Sequence, residues 1–99
     1  MKKESQFQKE LIVKLKDRMP ECMVIKQDPN YIQGIPDLLI LNGENWAALE
    51  VKRSKSASVR PNQKYYVDKM NDMSKARFIS PENEEEVLDE IQRSLTARR

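Results

Sequence analysis

The feature that most constrains this chain is the dipeptide Asn42-Gly43 between two apolar runs, Leu38-Leu39-Ile40-Leu41 before it and a run ending Leu49-Glu50-Val51-Lys52-Arg53 after it. Asn-Gly in that setting is the strongest short-range hairpin signal, because both residues tolerate the positive φ of a type I′ turn. Two antiparallel strands are therefore expected. Alternation along the second strand puts Glu50 and Lys52 on one face with Trp46 and Ala48, and turns Ala47, Leu49 and Val51 to the other. Asp37 opens the first strand, at a chain distance that lets the hairpin carry its carboxylate to Glu50.

Two carboxylates and a lysine converging at one end of a small sheet suit a hard divalent cation. Mg²⁺ takes a few carboxylate oxygens together with water and substrate phosphate, in preference to a full protein cage. A lysine alongside would orient or help deprotonate an attacking water, or neutralise charge developing on a phosphate. Taken alone, the pattern describes more simply an amphipathic hairpin whose wet face carries Glu50 and Lys52 as an ordinary ion pair, since Glu-x-Lys is common on exposed strands.

The rest of the chain narrows the chemistry. There is no histidine among its 99 residues, which removes Ser-His-Asp and Cys-His nucleophiles, the usual zinc sites and histidine-base nucleases. The single cysteine, Cys22, excludes an intramolecular disulfide and is expected in the core. With 38% hydrophobic and 34% charged residues, the composition is that of one globular domain spanning residues 1–99, with a modest core. No apolar run reaches the length of a membrane span, and the charged opening residues do not read as a secretory leader, so a cytoplasmic location is expected.

Net charge is only +2, but its distribution is uneven. From Lys52 to Arg77 the chain carries Lys52, Arg53, Lys55, Arg60, Lys64, Lys69, Lys75 and Arg77 against Asp68 and Asp72, and the acids Glu82, Glu84, Glu85, Glu86, Asp89 and Glu90 come next without an intervening base. A basic face over a phosphate backbone, with an acidic helix turned away, would produce this pattern, as would a mixed solvated surface.

Along the chain, residues 3–18 read as a helix with Phe7, Leu11, Ile12 and Leu15 at helical spacing and Pro20 closing it. Glu4 and Gln8 fall inside that apolar stripe and Glu10 outside it. Glu4 either steadies the positive end of the helix dipole or reaches toward the hairpin carboxylates. Residues 21–28 read as a strand, broken by Pro29-Asn30. Gly34, ending a short loop with Tyr31 and Gln33, is expected where the backbone turns sharply or approaches something closely. Residues 54–60 are small and basic, and read as a phosphate-contacting loop or a plain linker. Pro61-Asn62 opens a second helix, with Gln63, Tyr66, Val67, Met70 and Met73 on one face. Residues 76–79 form a last strand. Ser80-Pro81-Glu82 is expected to cap a final helix whose stripe is Val87, Leu88, Ile91 and Leu95, with its acids on the wet side and Arg98 and Arg99 fraying.

Pro36-Asp37 followed by Glu50-Val51-Lys52 resembles the PD-(D/E)XK nuclease signature. The fuller strings Gly34-Ile35-Pro36-Asp37-Leu38 and Ala48-Leu49-Glu50-Val51-Lys52 resemble its virus-type replication-repair (VRR-NUC) branch, often met as small stand-alone phage proteins, over residues 4–80. The resemblance implies a restriction-endonuclease-like α/β fold with an αβββαβ core, a small mixed sheet flanked by helices, here followed by a C-terminal helix. It also implies a Mg²⁺- or Mn²⁺-dependent DNA endonuclease, with branched DNA such as four-way junctions as a substrate class.

In its terms Asp37, Glu50 and the Val51 carbonyl hold the metal and Lys52 positions the water. Glu4, in the pattern Glu4-Ser5-Gln6-Phe7-Gln8, and Gln63, at the start of the following helix, assist. The expected DNA contacts are Arg53, Lys55, Arg60 and Lys64. Paired strand cleavage implies a homodimer, and a phage origin would place the protein in the host cytoplasm. The competing expectation is a nucleic-acid-binding module that keeps the fold without catalysis.

Overall fold

The computed structural model describes residues 3–97. The elements run α1 (Glu4–Arg18), β1 (Met23–Lys26), β2 (Leu38–Asn42), β3 (Asn45–Val51), α2 (Pro61–Met73), β4 (Lys75–Ile79) and α3 (Glu84–Thr96). The sheet has the order β1-β2-β3-β4, with β1, β2 and β3 antiparallel and β4 parallel to β3. The parallel step needs a crossover, which α2 provides. The expected α/β arrangement with a C-terminal helix is the one observed.

Alternation along the strands sends alternate residues to two separate cores. On one face Leu38, Ile40, Ala47, Leu49, Val51 and Ile79 meet Phe7, Leu11 and Leu15 of α1 and Val87, Leu88, Ile91 and Leu95 of α3. On the other, Ala48 and Ala76 pack with Val67 of α2, edged by Trp46, Met70 and Phe78. Each fully buried Leu or Ile in such a core contributes about 1.5–3 kcal/mol. Strand β3 is therefore covered on both sides, and every residue from Ala47 to Val51 is buried. Glu50 lies in that buried run, not on a wet face.

The hairpin forms, with a different turn. Asn42 pairs with Asn45, leaving Gly43-Glu44 as the connection, and only Gly43 has positive φ (64°). A type I′ turn needs positive φ at both central residues, whereas positive φ at the first alone belongs to type II′. The asparagines serve a different purpose: Asn42 and Asn45 donate through Nδ2 to the Leu95 carbonyl, at 2.9 and 3.1 Å, occupying an acceptor at the C-terminal end of α3.

Strand β1 is shorter than residues 21–28. Cys22 N–H closes a turn onto the Met19 carbonyl, and at the other end Asp28 accepts from Tyr31 N–H and, through Oδ1, from Asn30 N–H. Cys22 is buried, as expected, but precedes the strand. The last helix begins at Glu84 because the Asn83 side chain turns backward. Its Oδ1 accepts from Ser80 N–H and its Nδ2 donates to the Phe78 carbonyl, making residues 80–83 a turn. Met73, placed on the apolar face of α2 by periodicity, is 65% exposed because it lies in the last turn, at the edge of the sheet-facing surface.

The acids of α3 are not simply a wet face either. Lys14 pairs with Glu84, Arg18 with Glu85 and Asp89, and Lys75 and Arg77 with Glu90. These pairs tie α3 to α1 and β4. Among the described residues no helix is long and apolar enough to cross a membrane. Arg98 and Arg99 lie outside the described residues.

Candidate active site

The β2–β3 register places Leu38 opposite Leu49, so one step further Asp37 stands opposite Glu50 at the open end of the hairpin. Asp37 Oδ2 accepts from Val51 N–H at 2.8 Å, which fixes the carboxylate against the neighbouring strand. Glu50 points to the α2 side with its residue 4% exposed. The two carboxyls face each other across the strand pair, near enough for the charge of Asp37 to act on Glu50.

Burial and crowding govern their protonation. Desolvation, then the charge of Asp37, push the Glu50 carboxyl up to about 8, against the lowering effect of Lys52. Desolvation also raises Asp37, against the Val51 N–H bond and Lys52, which favour its ionised form. Two adjacent carboxylates in a dry site ionise together only at a cost.

Gln63 organises the rest. Its Nε2 donates to Glu50 Oε2 at 2.9 Å, while its Oε1 accepts from Lys52 Nζ at 2.8 Å and from Arg60 N–H at 3.0 Å. The last bond belongs to helix capping: with Arg60 as N-cap and Pro61 at the first helical position, the third helical residue reaches back to the cap. One amide thereby starts α2 and holds both members of the Glu50-x-Lys52 pair. Lys52 Nζ also donates to the Ser58 carbonyl at 3.0 Å and lies 3.8 Å from Glu50 Oε2.

A cleft of about 250 Å³ opens over the carboxylates. Asp37 and Glu50 contribute to its lining, together with Arg60, Asn62 and Gln63 from the start of α2 and Pro29, Asn30, Gln33, Gly34 and Ile35 from the loop before β2. Gly34 has φ +87°, and a Cβ there would lie 2.7–2.9 Å from Asn62 side-chain and main-chain atoms. Both reasons for a glycine apply: a left-handed turn and close approach of two backbones.

The other expected residues are placed less centrally. Glu4 is exposed in the first turn of α1 and not part of a buried stripe, which begins at Phe7. Its charge nonetheless reaches Glu50 and raises it slightly further. Arg53, Lys55 and Arg60 are exposed, and Arg60 lines the cleft. Lys64 is exposed and paired with Asp68 at 2.7 Å. Lys75 and Arg77, counted in the basic stretch, turn to Glu90 instead. The loop over residues 54–60 is anchored by Lys52 to Ser58 and by Lys55 N–H to Glu82.

Among the described residues no group of three or more Asp, Glu, Cys or His side chains gathers, so the site offers a carboxylate pair. A pair with adjoining main-chain oxygen suits Mg²⁺ or Mn²⁺, which retain water and take up phosphate oxygen. Asn62 and Asn30 were not singled out in the sequence. Their part in the cleft comes from contact between segments far apart in the chain, which no local pattern records.

The fold is of the restriction-endonuclease-like α/β class, and its carboxylate pair, lysine and glutamine stand at one end of the sheet. Among solved structures the chain is similar to the Holliday junction resolvase Hjc of the archaeal hyperthermophile Archaeoglobus fulgidus. The TM-score is 0.54 at 15% identity, over 77% of this chain and 67% of the resolvase. At that identity the likeness is one of fold. No family model and no curated protein matches the chain.

Proposed function

We propose that this chain is a divalent-metal-dependent DNA endonuclease that hydrolyses phosphodiester bonds in branched or otherwise structured DNA. The observation that carries the reading is buried Glu50 opposite half-buried Asp37, with Gln63 bridging Glu50 to Lys52, both carboxyls lining one cleft. A structural protein has no evident use for two carboxyls whose ionisation is opposed by their own surroundings. The resemblance to Hjc, a junction resolvase, and the VRR-NUC-like strings around Asp37 and Glu50 support the same class.

Asp37 and Glu50, with the Val51 carbonyl, would hold Mg²⁺ or Mn²⁺. When bound, the cation supplies Lewis acidity toward phosphate oxygen and a more acidic water. The chain's own groups do the rest. Asp37 is locked by Val51 N–H, so it presents a fixed oxygen. The Lys52 ammonium donates to Ser58 and Gln63, which suits it to orient a water or stabilise negative charge at the phosphate. Gln63 keeps Glu50 and Lys52 in register, and Glu4 adds negative charge at the margin. Arg53, Lys55, Arg60 and Lys64 supply phosphate contacts. Cutting two strands calls for two such sites and hence a homodimer, which sedimentation checks. A strictly monomeric species with undiminished paired cleavage would remove it.

The test is incubation of plasmid and four-way-junction DNA with and without Mg²⁺, beside Glu50→Gln and Lys52→Ala. Metal-dependent cleavage lost in both variants is expected. Equal products from parent and variants would overturn the reading.

A further inference from the structure

The cleft has an unusual lining for a phosphate site. Among the described residues Arg60 is its sole basic one, and four carboxamides, from Asn30, Gln33, Asn62 and Gln63, line it beside the carboxylates. Carboxamides present a donor and an acceptor side by side, the pattern that matches a nucleobase edge. Gln63 is engaged with Glu50, Lys52 and Arg60, whereas Asn30 and Gln33 are exposed and belong to the opposite wall.

Between those two residues in the chain stands Tyr31, 85% exposed, the most exposed of the large hydrophobic side chains described. The segment that carries it is tightly built. Tyr31 N–H and Ile32 N–H donate to the Asp28 carbonyl, Asn30 N–H donates to Asp28 Oδ1, and Ile35 N–H donates to the Ile32 carbonyl. Below it, Gln27 Nε2 donates to the Pro36 carbonyl and Gly34 presses on Asn62. An aromatic ring left in water on a loop held at both ends is poorly explained by packing. It suits a stacking platform, since any base offers a π face and a pre-ordered ring loses little entropy on binding.

We infer that the loop over residues 29–35 is a nucleobase-recognition element. Tyr31 stacks on an unpaired base next to the scissile phosphate, and Asn30 and Gln33 hydrogen-bond to that base's edge. This rests on the nuclease reading and adds to it: the preferred substrate is DNA with an unstacked nucleotide at the cut, as at a branch point or single-stranded end. A base inside an intact duplex cannot offer both its face and its edge to one loop.

The experiment is a binding cycle with the full chain, read by fluorescence anisotropy on a labelled four-way junction without divalent metal, so that cleavage does not intervene. A series of otherwise identical junctions carries a single abasic site stepped along one strand near the branch. Tyr31→Ala is expected to weaken binding to the intact junction about tenfold, and Tyr31→Phe to leave it unchanged. At one abasic position the parent should lose the same factor, and Tyr31→Ala should lose nothing more, the signature of coupling between ring and base. Asn30→Ala combined with Gln33→Ala should reduce the preference among the four bases at that position. Tyr31→Ala melting with the parent confirms an intact fold.

Loss of affinity equal on intact and abasic DNA at every position, or no loss at all, overturns the inference while leaving a nuclease in place. Absence of both junction binding and metal-dependent cleavage by the parent overturns the underlying reading instead.

Discussion

Glu50→Gln should stabilise the metal-free protein, although it removes a group at the centre of the site. Burial and Asp37 lift the Glu50 carboxyl from 4.5 to about 8, so folding opposes its ionisation. A carboxyl with a raised folded pKa costs nothing below its unfolded value and costs progressively more as pH climbs toward the folded one. The native state binds the extra proton, so stability falls with rising pH across that interval. At pH 7 the interval already crossed is about 2.5 units, on the order of 3 kcal/mol. Relaxation and water entry reduce this to on the order of 1–2 kcal/mol, or roughly 4–16 °C in Tm for a domain of this size. Glutamine keeps an oxygen for Gln63 Nε2 and carries no charge to oppose that of Asp37.

The assay is thermal unfolding by circular dichroism in EDTA from pH 5 to 8. The chain has no histidine, so apart from the α-amine little else titrates in that window. The parent's Tm should fall as pH rises, while the Glu50→Gln curve stays flatter and crosses above it. Adding Mg²⁺ should raise the parent's Tm, more at pH 8 than at pH 6, and leave the variant unmoved. A flat parent curve together with a variant less stable at pH 8 would show that the Glu50 carboxyl does not oppose folding.

Three further outcomes are expected. Gly34→Ala forces a Cβ against the Asn62 main chain at positive φ and should cost about 2–4 kcal/mol, read by denaturant melting, with cleavage falling more than stability explains. Gln63→Ala strips partners from Glu50, Lys52 and the Arg60 N–H, so single-turnover cleavage should drop about 10- to 100-fold while junction affinity holds; an unchanged rate would deny Gln63 its positioning role. Arg53→Ala, Lys55→Ala or Arg60→Ala should each reduce the slope of log affinity against log salt by about 1, whereas Arg77→Ala, whose guanidinium faces Glu90, should leave that slope alone and lower Tm.

Strand and helix identities were legible because binary patterning reports which side of an element is dry. Phe7, Leu11 and Leu15, the Ala47-Leu49-Val51 row and the Val87 to Leu95 stripe all face the core that their periods predict. Boundaries were less legible wherever a polar side chain chose among several backbone partners. Asn83 turned back to Ser80 and Phe78 and displaced the start of α3, and Asn42 and Asn45 went to α3, leaving the turn to Gly43-Glu44. Charge was the least legible. The bases at 75 and 77, counted with the basic stretch in the sequence, pair instead with Glu90 of α3.

By itself, the order of residues determined that Asp37, Glu50 and Lys52 would meet, since hairpin register and two-residue alternation are local rules that bring those positions to one end of a sheet. Whether that meeting place was wet or dry was decided only when α2 covered β3 and when Gly34 let the loop before β2 close on Asn62. Burial depends on every element at once. It is burial, with Asp37 alongside, that lifts the carboxyl of an ordinary Glu-x-Lys strand well above its usual range.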